Sequence, residues 1–262
     1  MNHLIKKLRW AVLGPPKPVK KDVPQGPFSG IFPLKVPLAP DVEKGWKPYP
    51  LFKRKVEGKF SLSAHASVLM PGICPHPPHV HTEEETLIML AGEADLLLPE
   101  DESAGPDRRR RARAGDFVYY PASFPHSLEA TGNVPANYLM FKWTGQNQGK
   151  PDPLDFISTG DMSQGYSSIS NEKITMQLLF EGPTSMLKKL QCHLTFLPPG
   201  SGYDAHIDAH DVAIIMLQGE VETIDKRAVP MDVIYYTAGE PHGMFNPGTM
   251  PARYLVFEFH FS

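Results

Sequence analysis

Short apolar runs broken by polar positions dominate the chain from about residue 56 onward. KFSLSAHASVLM (59–70) alternates imperfectly, and ETLIMLAGEADLLL (85–98) reads as strand, turn, strand around Ala91-Gly92. DFVYYP (116–121) and ANYLMFKW (136–143) are rich in β-branched and aromatic residues and stop at turn residues, as strands do. A second series follows: LQCHLTFLP (190–198), VAIIMLQGEVETI (212–224), DVIYY (232–236) and ARYLVFEFHF (252–261). Between the series, residues 145–165 carry GQNQGKPDP and STGDMSQG and read as a linker. Residues 14–50 hold many prolines and few periodic apolar runs, which predicts an extended lead-in. The pattern predicts an all-β chain with an N-terminal arm over 1–54 and a first β unit over 55–145. A linker with the first strands of the second unit is expected over 146–184, and a second β unit over 185–262.

The two series are copies of one another. Gly115-Asp116-Phe117-Val118-Tyr119-Tyr120 matches Met231-Asp232-Val233-Ile234-Tyr235-Tyr236 at a shift of 116, and the same shift carries His126 onto His242. Upstream the shift is 127: His79 falls on His206, and Gly92-Glu93 on Gly219-Glu220. The difference places an excess of 11 residues in the first copy between 94 and 114, where PEDESAGPDRRRRARA stands. The chain is therefore read as a tandem duplication, with a longer charged loop in the first copy.

Composition narrows the class. Of 262 residues, 41% are hydrophobic and 21% charged, with a net charge of −3. That balance suits a globular chain with a core and lacks the basic surplus of a nucleic-acid binder. Prolines number 28, about twice the usual ~5% share, which works against helices. Cys74 and Cys192 are too few for a disulfide framework or a four-thiolate zinc site, and reduced thiols in the cytoplasm are expected. No apolar run approaches the ~20 residues of a membrane span, so neither a membrane nor a nucleic-acid partner is expected. The N-terminal MNHLIKKLRWAVL predicts a short amphipathic helix ending before Pro15-Pro16 and packed on its own domain.

One cluster bears chemistry. In PHPPHVHTEEETLIMLAGE, His79 and His81 are two apart, so a strand points both to one face. Glu85 follows four residues later, and His126 comes after a separate strand in PASFPHS. Three imidazoles and a carboxylate suit one divalent transition metal, Fe, Mn, Ni, Cu or Zn, with positions left for substrate or water.

These residues resemble the cupin superfamily in its two-domain, or bicupin, form. The first cupin motif, G-x5-H-x-H-x3,4-E-x6-G, is matched by His79, His81, Glu85 and Gly92, with Gly72 one residue too far upstream. The second, G-x5-P-x-G-x2-H-x3-N, is matched by Gly115, Pro121 and His126, with Ser123 for the glycine and Ala130 for the asparagine. The resemblance implies two tandem double-stranded β-helix (jelly-roll) barrels behind a proline-rich arm, with the metal inside the first. It implies a small-molecule substrate and, for a His3Glu site, dioxygenase-type oxidoreductase chemistry, with Glu85 a ligand that can also serve as a base. A non-redox lyase, isomerase or hydrolase is the alternative, and a non-catalytic small-molecule-binding cupin another.

The second copy departs from the motifs. Gly200, His206, Gly219, Gly239, His242 and Asn246 fit, but Asp208 replaces the second histidine and Val212 the glutamate. A structural barrel is expected there, with His206, Asp208 and His242 as the alternative second site. Around the first cluster, His76 is a candidate for the pocket mouth and Cys74 for a packed thiol. Glu83 and Glu84 are expected as solvated rim charges, although either could carry a proton. Tyr119, Tyr120, Phe124, Phe141 and Trp143 are candidates to line the mouth. Arg108 to Arg111 and Arg113 are read as a surface loop balanced by Glu100, Asp101, Glu102 and Asp107. A homodimer through edge strands or the N-terminal arm is left open.

Overall fold

In a computed structural model the described residues are 29–34, 45–56, 60–99, 109–149, 152–159, 167–170 and 173–261. The expected N-terminal helix and the acids of the 100–108 segment lie outside them. Every regular element described is a β-strand, and the chain divides into two compact units.

The first unit pairs a six-stranded sheet with a three-stranded one. The large sheet runs in the order Ile157–Thr159, Phe117–Tyr120, Glu84–Ala91, Ala136–Gly145, Phe60–Leu69, Trp46–Val56. The small sheet is Arg109–Arg113, Glu93–Leu97, Ser127–Ala130. Alternate residues of both sheets, among them Leu69, Leu87, Met89, Leu96, Val118, Leu128 and Tyr138, form one buried cluster. This is the jelly-roll solution, in which each sheet covers the apolar face of the other.

The second unit repeats the plan. Its seven-stranded sheet runs Gly30–Pro33, Asp232–Tyr236, Asp211–Gln218, Ala252–His260, Lys189–Leu197, Thr175–Gly182, Ser167–Ser170. Its four-stranded sheet is Gly202–His206, His242–Phe245, Val221–Thr223, Lys226–Ala228. Leu197, Val212, Ile214, Met216, Ile234, Tyr254 and Val256 lie in its core. Cys74 and Cys192 are both free thiols.

The boundaries differ from those read in the sequence at three places, the first being Gly30–Pro33, assigned to the arm but an edge strand of the second unit's large sheet. Trp46–Val56, assigned to the arm, is a full strand of the first sheet, paired with Phe60–Leu69. Its two prolines hid it. They are tolerated because the strand is at the sheet edge, where a missing N–H costs no ladder bond. Ile157–Thr159, assigned to the linker, pairs with Phe117–Tyr119 as the other edge of that sheet. Of the arginine run, Arg109–Arg113 is a strand, not a loop, and Arg108 lies outside the described residues. Arg109 lies 2.7 Å from Glu129 and Arg111 3.0 Å from Glu93, so its charge is balanced by neighbouring strands.

The duplication is visible in the backbone. Gly92 and Gly219 both have left-handed φ, +71° and +69°. A Cβ on either would sit 2.5 Å from Pro135 O or 2.7 Å from Pro251 O. The excess of the first copy falls in one hairpin. In the second copy Val221–Thr223 and Lys226–Ala228 are joined by Ile224-Asp225 alone, both at positive φ, the signature of a tight two-residue turn.

Candidate metal centre

The backbone brings the three motif histidines of the first barrel together, with Glu85 beside His81 and His126. His79 and His126 form an antiparallel bridge, each N–H donating to the other's carbonyl at 3.2 Å. Ser123 N–H donates to His81 O at 2.8 Å, which fixes the second histidine against the turn before His126. Glu85 faces inward from Glu84–Ala91, with 1% of its surface exposed. The three imidazole centroids form a nearly even triangle, 5.3, 5.3 and 5.1 Å on a side.

Tautomers follow from the outer contacts. Nδ1 of His79, His81 and His126 lie 3.2, 3.0 and 2.7 Å from the carbonyls of His126, Glu83 and Phe124. A carbonyl only accepts, so each Nδ1 carries a hydrogen and each Nε2 is left to face inward. That is the arrangement second contacts impose on metal-ligating histidines. The Nε2 atom of His81 is buried and has no hydrogen-bond partner; it faces Glu85 Oε2 at 3.3 Å. A buried, inward-facing Nε2 without a hydrogen bond fits a bound cation, and His79, His81 and His126 offer ligand atoms within 4.8 Å of one another.

Glu85 ties the cluster together. Its Oε1 lies 2.8 Å from His126 Nε2, and its Oε2 2.8 Å from Lys142 Nζ. Burial alone would push this carboxyl up. The close His126 and His81 rings and the Lys142 ammonium outweigh it and hold the group well below the usual carboxylate range. Glu85 is therefore an anion at neutral pH. His79 is shifted down by burial and by the neighbouring imidazoles of His76, His126 and His81. His81 is shifted up, chiefly by Glu85.

The cluster opens into a cavity of about 550 Å³, with His79, Glu85 and His126 in its wall. Trp46, Phe52, Leu87, Leu128, Tyr138 and Met140 supply apolar surface, and Lys53, Ser63, His65 and Lys142 polar groups. The proline-containing edge strand forms one side through Pro48 and Pro50. Trp46 Nε1 donates to Tyr138 Oη at 2.9 Å. Burial pushes the Tyr138 phenol up to about 12, so it stays protonated.

The flanking residues sort by strand parity. His76 is part of the cavity wall, its ring 4.0 Å from that of His79. Tyr120 lines the cavity and stacks on His126 at 4.1 Å, and Phe124 packs against the barrel core. Tyr119, Phe141 and Trp143 are buried but take no part in the cavity wall. Glu84 is not a rim charge. It is fully buried, accepting from Trp143 Nε1 at 2.7 Å and Thr184 Oγ1 at 2.6 Å, and burial raises its pKa. Cys74 donates its thiol to His76 O at 3.0 Å and is exposed. Lys142 and His65 were not singled out in the sequence. The signal lay in register: Lys142 is the strand partner of Glu85.

In the second barrel His206, Asp208 and His242 also converge. Asp208 Oδ2 lies 3.6 Å from His206 Nε2 and 3.4 Å from His242 Nε2. Burial raises the Asp208 carboxyl, but hydrogen bonds from both histidines win and shift it down. Gly239, at φ +86°, donates its N–H to Asp208 O at 2.8 Å, the same bond Ser123 makes to His81. The cavity here is about 90 Å³.

Two facing sheets in tandem, each with histidines at the same two points, define a class of fold, two tandem cupin jelly-roll barrels. The Cupin domain family matches residues 66–142, which span the first barrel's motifs. A curated relative, dimethylsulfoniopropionate lyase DddQ of Ruegeria pomeroyi, is 36% identical over 91 residues, 35% of this chain. That match spans 41% of the relative, well under two thirds of it. Among solved structures, Bacillus subtilis oxalate decarboxylase aligns at a TM-score of 0.60 with 16% identity, covering 91% of this chain and 79% of that one. A Lactobacillus farciminis oxalate decarboxylase with formate aligns at 0.60 and 15%, covering 88% and 86%. At these identities the structures share the fold. The Bacillus subtilis oxalate decarboxylase is described as having Mn(II) centres.

Proposed function

We propose that the first barrel is the active site of a metal-dependent enzyme that cleaves a small carboxylate-bearing molecule without net oxidation. The observation that carries this is Lys142. Its ammonium sits 2.8 Å from Glu85 inside a largely apolar cavity. An ammonium has three donors, so Lys142 can hold Glu85 with one and a substrate carboxylate with another. In a largely apolar, half-enclosed cavity such a contact is worth more than at the surface.

His79, His81, Glu85 and His126 would hold the metal, and a bound divalent ion would supply Lewis acidity to a substrate oxygen. The protein's own groups do the rest. Lys142 orients the carboxylate. The His65 imidazole is shifted down by burial and by Lys142, against Glu85, so it is neutral at neutral pH and able to accept a proton. Trp46, Phe52 and Met140 keep bulk water from the reacting carbon. The relatives' names point the same way, since a lyase of a propionate and decarboxylases of oxalate both break bonds in carboxylates.

A dioxygenase is the second reading, favoured by the donor set, since three imidazoles and a carboxylate also accept redox-active metals. The test is turnover of small carboxylates by metal-loaded protein with and without oxygen. Equal anaerobic turnover is expected. Product formation that consumes one O2 per turnover would replace the lyase reading with the oxygenase one.

A further inference from the structure

The two barrels place their carboxylates on different strands. In the first, Glu85 is the strand partner of Lys142. The equivalent pair in the second is Val212 and Glu258. The carboxylate missing from the motif position at Val212 has reappeared one strand over, where the first barrel carries its lysine. Ala252–His260 alternates, and Tyr254 and Val256 are core residues of the barrel. Glu258 and His260 continue that face, and His210 has the same parity as Val212 and Ile214.

Glu258 is buried at the centre of a group of imidazoles. His260 Nε2 lies 2.9 Å and His210 Nε2 3.3 Å from its Oε2, and the two rings stack at 3.8 Å. His193 Nε2 is 4.0 Å from Oε1, and Gln191 Nε2 donates to Oε1 at 3.2 Å. His210, Glu258 and His260 present ligand atoms within 4.8 Å of one another. Two imidazoles and one carboxylate form the facial set of many divalent-metal sites, with a third imidazole one short movement away.

We propose that His210, Glu258 and His260 form a second divalent-metal site, offset from the motif position at His206, Asp208 and His242. The offset is favoured because Val212 leaves the motif position without its fourth donor, whereas Glu258 has His193 and Gln191 as further partners. His193, His210 and Glu258 line the same cavity of about 90 Å³ as His206, Asp208 and His242. That volume admits an ion and a few waters and is far below the cavity of the first barrel. The site thus holds an ion for the structure of the second barrel and takes no organic substrate. The proposal stands independently of the chemistry assigned to the first barrel.

The test is cobalt(II) titration of the full chain carrying His79→Ala and His81→Ala, which empties the first barrel, followed by visible absorption and calorimetry. One saturable equivalent is expected. Adding His210→Ala and His260→Ala is expected to weaken it about 100-fold, while adding His206→Ala and His242→Ala leaves it within about threefold. Absence of saturable binding, or loss with His206→Ala and His242→Ala alone, overturns the proposal. A measurement that needs no substitution guards against misfolded variants: anomalous diffraction from zinc-loaded wild-type crystals. A peak about 2.1 Å from the Nε2 atoms of His210 and His260 is expected. A second-barrel peak between His206 and His242 instead, or none, overturns it.

Discussion

The two barrels share a frame and differ in what they enclose. Both use a left-handed glycine against a proline carbonyl, at Gly92 and Gly219. Both pair the first and last motif histidines across strands, His79 with His126 and His206 with His242. Both stack a tyrosine on the last histidine, Tyr120 at 4.1 Å and Tyr236 at 3.9 Å. Yet one encloses about 550 Å³ beside a Glu85–Lys142 pair, and the other about 90 Å³ beside Val212 and Glu258. Frame positions answer to backbone sterics and hydrogen bonding, which leave few alternatives. Inward positions on the strands answer only to what they surround, so chemistry diverged there while the barrel stayed the same.

The sharpest way to break the comparison is to remove equivalent ligand positions. His81→Ala is expected to abolish metal binding in the first barrel and reduce turnover at least about 100-fold, whereas Asp208→Ala leaves turnover unchanged. Metal analysis and a steady-state assay on both variants check this. Next come the frame glycines. Gly92→Ala and Gly219→Ala each force a Cβ onto a backbone carbonyl at positive φ. Each is expected to cost roughly 3 kcal/mol, read by denaturant unfolding. A large cost in one barrel and none in the other would show that the frames are not equivalent.

Lys142→Met tests the substrate side. It removes a half-buried charged donor, and about 2 kcal/mol is expected, or roughly 30-fold in kcat/KM. The loss should appear mainly in KM for carboxylate substrates. An equal loss for an uncharged analogue would argue against the anchoring role. The smallest effect is at Ser123, which holds φ +63° where the second copy has Gly239 at +86°. Ser123→Gly relieves backbone strain at some cost in unfolded-chain entropy. A net stabilisation of about 0.5–1 kcal/mol is expected, seen as a higher Tm with unchanged metal content.

Much of this was legible in the sequence because the informative signals are local. His79 and His81 show strand parity within three residues. The repeat aligns His126 with His242, and the turn glycines punctuate both copies. Tyr119 and Tyr120 are adjacent yet face opposite ways, which alternation explains once the strand is placed. What was missed depends on register between strands far apart in sequence. Lys142 sits in an apolar run and acquires meaning only opposite Glu85. Glu258 does the same opposite Val212. Glu84 looked, like Glu83, to be a solvated rim charge beside Glu85, but its parity turns it away from the cavity onto Trp143 and Thr184. Trp46–Val56 carried two prolines, and only its place at a sheet edge makes it a strand.

The most direct test of the metal centre is metal content per chain, by elemental analysis of anaerobically purified wild type and His81→Ala prepared side by side. One more equivalent of divalent transition metal is expected in the wild type than in the variant, with both proteins folded by circular dichroism. Equal metal content in the two would contradict this and remove the first barrel's cluster as a metal centre.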